Sequence, residues 1–329
     1  MQAIRCTRYG PPEVLELSEV DKPAPTDHQV LVRVHAASVN TADLAMRGFL
    51  VARLFMGGLR KPKDPRLGID LAGRVEAVGR AVTQFQPGDD VFGRARGAFA
   101  EYVCAREEGV VLKPPTLTFA AAAAVPQAAA IALQAVRDDA QIQPGEQVLI
   151  NGASGGVGTY ALQLAKVFGA HVTAVCSPRN VEQVHGLGAD QVLDYTQQDC
   201  TRTGQRYDVI LGVNGYHSLF VYRRALRPTG RYVLVGAGQT RLLRALLEMM
   251  LLGPVVSRMG RQRMRLCAFK GQPPQQDLAY IKELLEAGKL VPVIDRCYPL
   301  SETAAALRYL ESGHVRSKVI ITMDPQTRP

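Results

Sequence analysis

Val148 to Tyr160 reads VLINGASGGVGTY, and this stretch decides the fold of the chain. Val148-Leu149-Ile150 is a short apolar run that suits a strand buried on both faces. Gly152, Gly155, Gly156 and Gly158 then turn the chain. TYALQLAKVFGA follows with helical spacing, placing Ala161, Leu162, Leu164, Ala165 and Phe168 on one apolar face. Strand, glycine turn and helix together form a site for a nucleotide pyrophosphate. The glycines let the backbone approach the ligand, and the free N–H groups at the helix start face its phosphate oxygens. An ordinary glycine-rich turn would share the glycines; the flanking strand and helix are what favour the dinucleotide.

Outward from this turn, residues 145–236 alternate strand and helix. Strands are expected at Gln147–Asn151, His171–Cys176, Gln191–Asp194, Asp208–Gly212 and Arg231–Gly236, with a further one at Arg265–Phe269. Helices are expected around 156–168, 179–187 and 216–226. That alternation means a parallel, doubly wound sheet. Residues 1–120 read differently. QVLVRVHA (29–36) and LAGRVEAV (71–78) alternate with period two, and Pro and Gly punctuate them, as in a compact antiparallel barrel. Residues 39–68 read as a short helix and a basic loop. The Ala-rich run 118–137 is helical with a break at Pro126, and leads from one region to the other. After residue 272, helices at 277–289 and 301–313 (Ser301 as N-cap, Gly313 as stop) and a strand at Ser317–Thr322 resume the first style. The expected division is therefore 1–122 with 272–329 as one domain, and 123–271 as a nucleotide-binding domain inserted in it.

Composition narrows the function. At 329 residues, 47% of them hydrophobic and 21% charged, the chain is globular and long enough for two domains. No apolar run has the length of a membrane span, and residues 1–20 lack a signal-peptide pattern, so a cytoplasmic protein is expected. The six cysteines are scattered without a CxxC pair, which argues for reduced thiols and against a zinc finger. The formal charge of +9 favours anionic ligands such as phosphorylated cofactors; no basic tail or aromatic-interleaved basic motif points to nucleic acid. Residues 238–265 combine an apolar helix (Leu242, Leu243, Leu246, Leu247, Met249, Met250, Leu251, Leu252) with a basic patch. They read as a core or subunit-interface helix, or alternatively as a lid over a lipophilic substrate.

The cofactor can be read further. An acidic residue about 20 positions past the glycines usually binds the ribose 2′-hydroxyl of NAD. Here His171–Cys176 ends in Ser177-Pro178-Arg179-Asn180, with no carboxylate. A hydroxyl and a guanidinium suit a 2′-phosphate, which predicts NADPH; the alternative leaves Arg179 a solvated loop charge.

These residues carry a resemblance. HAASVNTADLAMRG, GIDLAGRVEAVG, QPGDDVFG, GAFAEYV, NGASGGVGTYALQLAK, LGADQVLDY and GHVRSKVII span nearly the whole chain. They resemble the zinc-free quinone oxidoreductase branch of the medium-chain dehydrogenase/reductase superfamily. The chain is also similar to the reticulon-interacting mitochondrial NADPH oxidoreductases, without their targeting segment. The resemblance implies an α/β protein: a doubly wound parallel Rossmann sheet inserted in a β-rich, GroES-like barrel domain. It implies reduction of a quinone or an α,β-unsaturated carbonyl, and a homodimer formed through edge strands of the nucleotide domain. Where zinc-dependent relatives hold their catalytic metal this chain has Asn40, Ile69 and Gln127, none a usual zinc ligand. No metal is therefore expected.

By the same resemblance Ser154, Gly155, Gly156 and Val157 hold the pyrophosphate, Ser177 and Arg179 the 2′-phosphate, and Tyr195 packs beside that ribose. Asn214 (in Gly212-Val213-Asn214) and Val235-Gly236-Ala237 lie along the nicotinamide, and Lys318 reaches back to the cofactor. Asn40 is the polar group nearest the hydride acceptor, able to steady developing negative charge. The alternatives are a core role for Tyr195, a solvated edge charge for Lys318 and a helix cap for Asn40. Quinone reductases of this branch often carry a Tyr a few residues after the Asn; here none occurs between residues 10 and 101. Protonation then falls to solvent, Thr41 or Asp43, while Asp43 and Asp70 also read as ion-pair partners. Two rival readings stand beside this one: an enoyl-thioester reductase, and a non-catalytic nucleotide- or nucleic-acid-binding protein.

Overall fold

The computed structural model describes residues 1–47, 58, 60–215, 217–237, 239–267 and 274–323. They divide into two compact units. The first comprises Met1–Gln127, Gln272–Glu286 and Pro292–Pro329; the second comprises Ala128–Gly271 and Ala287–Val291.

The first unit begins with β1 (Gln2–Cys6), β2 (Leu15–Glu19), β3 (Gln29–Val39), β4 (Asp70–Val78), β5 (Asp90–Arg94), β6 (Tyr102–Arg106) and β7 (Val110–Leu112). The expected period of two is realised only in part in β3: Val30, Val32 and Val34 are buried and Arg33 is exposed, but Leu31 and residues 36–39 are buried as well. The Ala-rich run becomes α1 (Phe119–Ala123) and α2 (Pro126–Leu133). Thr118 caps α1 by accepting the Ala121 N–H at 3.1 Å. Pro126 restarts the helix at its first position, where a missing N–H costs nothing.

The second unit follows with β8 (Gln147–Asn151), α3 (Gly156–Val167), β9 (His171–Cys176), α4 (Val181–Gly186), β10 (Gln191–Asp194), β11 (Tyr207–Gly212), α5 (Leu219–Ala225), β12 (Leu226–Leu234), α6 (Gln239–Arg258) and β13 (Arg263–Leu266). The strand expected at Arg265–Phe269 starts two residues earlier and ends at Leu266; Phe269 lies outside the described residues. The chain closes with α7 (Gln275–Glu286), β14 (Ile294–Pro299), α8 (Thr303–Glu311) and β15 (Lys318–Thr322). Ser301 does not cap α8. It sits in a 3₁₀ turn, Leu300–Glu302, and Glu302 occupies the cap position. Gly313 does end the helix, with φ of +72°.

The first sheet runs β14-β15-β3-β4-β5-β7, with β6 also on β3, and its pairs are antiparallel except β14 with β15. That parallel pair needs a crossover, which α8 supplies. The second sheet is parallel throughout, in the order β10-β9-β8-β11-β12-β13. Val148, Leu149 and Ile150 in β8 are fully buried, as a central parallel strand requires. From β8 the chain turns to β9 on one side; β11 lies on the other. Strand order reverses between β8 and β11, and the carboxyl ends of such strands are where open parallel sheets bind ligands.

The boundary between units falls five residues later than the sequence pattern placed it. Ala287–Val291 also joins the second unit, because Gln163 of α3 clamps Val291: its Nε2 donates to the Val291 carbonyl at 3.1 Å and its Oε1 accepts the Val291 N–H at 2.7 Å.

Candidate active site

At the strand-order reversal two backbones meet. The Asn214 N–H donates to the Asn151 carbonyl at 3.2 Å, and Gly152, at φ of +97°, passes beside it. A side chain at 152 would place its Cβ 2.7 Å from the Asn214 nitrogen. Gly158 packs the start of α3 onto the turn: a Cβ there would lie 2.1 Å from the Gly152 carbonyl oxygen. Gly155 occupies the N-cap of α3 without a side-chain cap, and a Cβ on it would meet nothing closer than the Gly152 oxygen at 3.7 Å. The first N–H groups of α3 have no intrahelical acceptor and open onto that space. Ser154, Gly155, Gly156 and Val157 thus form a backbone cradle suited to an anion at a helix N-terminus.

The end of β9 is tied to the same turn. The Val175 carbonyl accepts from the Gly152 and Ala153 N–H groups at 3.2 and 3.0 Å. Asn180, which sequence reasoning passed over, is 3% exposed and bridges the two segments. Its Nδ2 donates to Ser154 Oγ at 2.9 Å and to Ser177 Oγ at 3.0 Å. Each hydroxyl accepts from Asn180 and keeps its own proton to donate. Arg179 stands exposed beside them, and Tyr195, one residue past β10, is 62% exposed. Asn214 is exposed on the neighbouring loop. The residues read from the sequence for the pyrophosphate and the 2′-phosphate, Ser154 to Val157 with Ser177 and Arg179, therefore lie on adjoining segments. A dinucleotide fits this cradle, because glycines leave room and the flanking polar groups are donors.

Asn40 and Lys318 belong to the first unit, in a buried polar cluster. Lys318 Nζ donates to Asn40 Oδ1 at 2.7 Å and lies 3.9 Å from Asp70 Oδ2. Asn40 Nδ2 donates to the Ser38 carbonyl at 3.2 Å and to Asp70 Oδ2 at 3.0 Å. Asp70 also accepts from Ser38 Oγ and the Gln127 N–H, and its Oδ1 faces Arg94 Nε at 3.6 Å. Burial pushes the Asp70 carboxyl up and the Lys318 ammonium down, while each charge opposes the other's shift. The two cations and the donors around the carboxylate oppose that rise without cancelling it.

Lys318 is 3% exposed, so it is not a solvated edge charge; β15 pairs with both β14 and β3. Nor does the Asn40 side chain cap the following turn: Asp43 does, its Oδ2 accepting the Asn40 N–H at 2.8 Å.

This cluster does not fit zinc. Ile69 offers no donor atom, Asn40 Oδ1 is taken by an ammonium, and Gln127 Oε1 faces the Arg94 guanidinium at 3.5 Å. Among the described residues one other group has ligand-like spacing, Asp199, Cys200 and His217, in the second unit. Burial pushes the Cys200 thiol up to about 12, and Asp199 Oδ1 is engaged by the Thr201 N–H and hydroxyl.

Asp43 provides a pH test. Burial raises its carboxyl from 3.8 to about 7. The folded protein holds this proton more tightly than the unfolded chain. Its contribution to stability is therefore complete below pH 3.8 and is lost as pH rises to about 7. Asp43→Asn keeps an acceptor for the Asn40 N–H but cannot titrate. Urea midpoints across this window should show wild type losing stability relative to the variant as pH rises; a constant difference would refute the shift.

Comparison with known proteins converges on this geometry. Residues 26–115 match the alcohol dehydrogenase GroES-like domain, and residues 187–321 match the family described as zinc-binding dehydrogenase. The donor set above departs from that description. The chain is 34% identical to a chloroplastic quinone-oxidoreductase homologue of Spinacia oleracea, over 98% of each chain. It is 34% identical to the mitochondrial NAD(P)H oxidoreductase RTN4IP1 of Mus musculus, over 96% of this chain and 87% of that one. The quinone oxidoreductase structure from Coxiella burnetii matches with a TM-score of 0.84 at 32% identity, over 98% of this chain and 99% of that one. A glycine-cradled dinucleotide site and similarity over nearly the full length make the chain a member of the medium-chain dehydrogenase/reductase superfamily, in its quinone oxidoreductase branch: an oxidoreductase that works with a nicotinamide cofactor.

Proposed function

We propose that this protein is an NADPH-dependent, zinc-independent reductase that passes hydride to a quinone or an α,β-unsaturated carbonyl. The observation that carries this is the Ser177 hydroxyl, held in place by Asn180, with Arg179 and no carboxylate at the end of β9. Hydroxyl and guanidinium donors suit the extra phosphate of NADPH, where an acid would suit the free ribose of NADH. When bound, the nicotinamide supplies the hydride. In this reading Ser154, Gly155, Gly156 and Val157 hold the pyrophosphate, Ser177 and Arg179 the 2′-phosphate, Tyr195 flanks the ribose, and Asn214 lies by the nicotinamide.

We assign Asn40 to the acceptor side. Both of its amide protons are engaged, so it acts as a positioning residue: it holds Lys318, whose positive charge stabilises negative charge developing on the acceptor oxygen. In this reading Lys318 stands beside Asn40, from where it can also reach the cofactor. A delocalised enolate or hydroquinone oxygen needs less stabilisation than an alkoxide, which is why reduction of conjugated acceptors is favoured here over alcohol oxidation. The same reading includes a cytoplasmic location, in keeping with six free cysteines, and a homodimer formed through edge strands of the nucleotide domain.

The test is NADPH and NADH oxidation with quinones, enones and enoyl thioesters. Wild type should prefer NADPH. Arg179→Ala should lower the ratio of kcat/KM for NADPH over NADH by about ten- to a hundred-fold, the worth of a hydrogen bond to a charged group. Equal use of both cofactors by wild type would sink the NADPH assignment. Turnover confined to enoyl thioesters would replace the proposed acceptor.

A further inference from the structure

α6 carries apolar side chains on both of its faces. Ala245, Met249 and Val256 are buried against the second unit. The opposite face is Leu243, Leu247, Met250, Leu251 and Val255, at spacings of four, three, one and four residues, which is one side of a helix. These side chains are exposed; Leu243, Met250 and Leu251 each show more than 60% of their surface, and Met259 just beyond the helix shows 75%. The core reading of the segment therefore holds for the inner face of the described part, and the outer face is open in the single chain. Leu242 lies among the side chains outside the description.

Charge around the stripe has one sign. Between residues 209 and 276 the chain has ten arginines, one lysine and a single carboxylate, Glu248. Glu248 is turned inward, its Oε1 accepting the Leu219 N–H at 3.2 Å. Arg244 and Arg258 stand exposed at the two ends of the stripe, with Arg261 and Arg263 beyond. At the C-terminal end of α6, Phe220, Arg223, Arg224, Arg261 and Gln262 line a surface concavity of about 520 Å³. Gln262 Oε1 accepts from Arg223 Nε at 3.3 Å and fixes that guanidinium in place.

We propose that this face of α6 seats the protein on an anionic lipid bilayer, the apolar stripe entering the headgroup boundary and the arginine concavity taking lipid phosphates. A stripe of Leu and Met flanked by Arg is the pattern of an interfacial helix. From Leu243 to Met259 it extends about 24 Å at 1.5 Å per residue. A second copy is a poorer occupant, since it would oppose one cationic face with another. A soluble phosphate would fill the concavity and leave the stripe in water. No described helix is long and apolar enough to cross a membrane, so the contact is peripheral.

The experiment is co-sedimentation of the full chain with phosphatidylcholine vesicles, with and without phosphatidylglycerol. Binding should require phosphatidylglycerol and weaken with salt. Arg223→Gln and Arg261→Gln should each weaken it about five-fold, the contribution of one basic residue near an anionic surface. Leu247→Glu with Leu251→Glu should weaken it more than ten-fold while thermal unfolding and NADPH binding stay as in wild type. Three results would overturn the proposal: no wild-type binding, equal binding to neutral vesicles, or unchanged vesicle binding in the double Glu variant. Conversion of a dimer to a monomer in that variant, with vesicle binding intact, would make the face a subunit interface.

Discussion

Lys318→Met should lower the unfolding free energy by about 3–5 kcal/mol, the usual consequence of removing one partner from a buried charge pair. Lys318, Asp70 and Arg94 are all buried, and Asn40 Oδ1 spends its 2.7 Å hydrogen bond on the lysine. Without the ammonium, Asp70 keeps only Arg94 as a counter-charge, at 3.6 Å, and Asn40 loses its donor. Methionine matches the lysine stem in length, so the loss is electrostatic rather than a cavity. Asp70→Asn combined with Lys318→Met removes both charges and should be less destabilised than the single variants' sum, by 1 kcal/mol or more on the ordinary scale of coupled sites. An exposed pair provides the contrast: Arg80 and Asp27 are 88% and 56% exposed at the side chain, and Arg80→Ala should change stability by less than about 1 kcal/mol. Urea unfolding of Lys318→Met, Asp70→Asn, the double variant and Arg80→Ala measures all of this. A Lys318→Met variant within 1 kcal/mol of wild type would mean the pair is not coupled as its distances imply. In the folded fraction, kcat for the acceptor should fall while the NADPH dissociation constant stays unchanged. The reverse pattern would move Lys318 from the acceptor to the cofactor.

The fold was legible where periodicity is unambiguous. Val148-Leu149-Ile150 is apolar without alternation and lies in a strand with neighbours on both sides. Pro126 marks the restart of a helix because proline has few other roles inside an Ala-rich run. What escaped the sequence depends on neighbours that are distant in the chain. The resemblance takes Lys318 back to the cofactor, and the alternative of an edge charge falls only once β15 is seen between β14 and β3. Asn180 looks like a loop amide until the end of β9 is tied to the glycine turn. α6 is apolar nearly all round, so its periodicity could not say which face meets the core. Ser301 has the chemistry of a cap, but a 3₁₀ turn after Pro299 carries the helix start two residues further. The acceptor side is the least legible of all: Asn40 comes from the family resemblance, while its partners Asp70, Arg94 and Lys318 converge only in three dimensions.

A single methyl group at residue 158 should cripple both folding and cofactor binding, and a methyl group three residues earlier should affect only the second. In Gly158→Ala the new Cβ would sit 2.1 Å from the Gly152 oxygen and 2.9 Å from two backbone atoms of Ala153. All three are backbone atoms, so no side chain can swing aside. α3 must lift from the turn, and overpacking of this kind costs typically 1–3 kcal/mol or more. Lifting the helix also moves the N–H groups of Gly156 and Val157 away from the cradle, and since misplacement by about 1 Å can cost a hundred-fold, NADPH affinity should fall on that order. In Gly155→Ala the backbone is already extended, at φ of −79° and ψ of 173°, and the nearest atom is 3.7 Å away. The variant should fold with a melting temperature close to that of wild type. Its methyl group would nonetheless stand in the space over which the pyrophosphate must approach, so affinity should drop without loss of stability. Calorimetric titration with NADPH, alongside thermal unfolding, separates the two cases. If Gly158→Ala matches wild type in both measurements, the close contact between α3 and the turn is wrong. If Gly155→Ala binds NADPH normally, the anion does not sit at the start of α3.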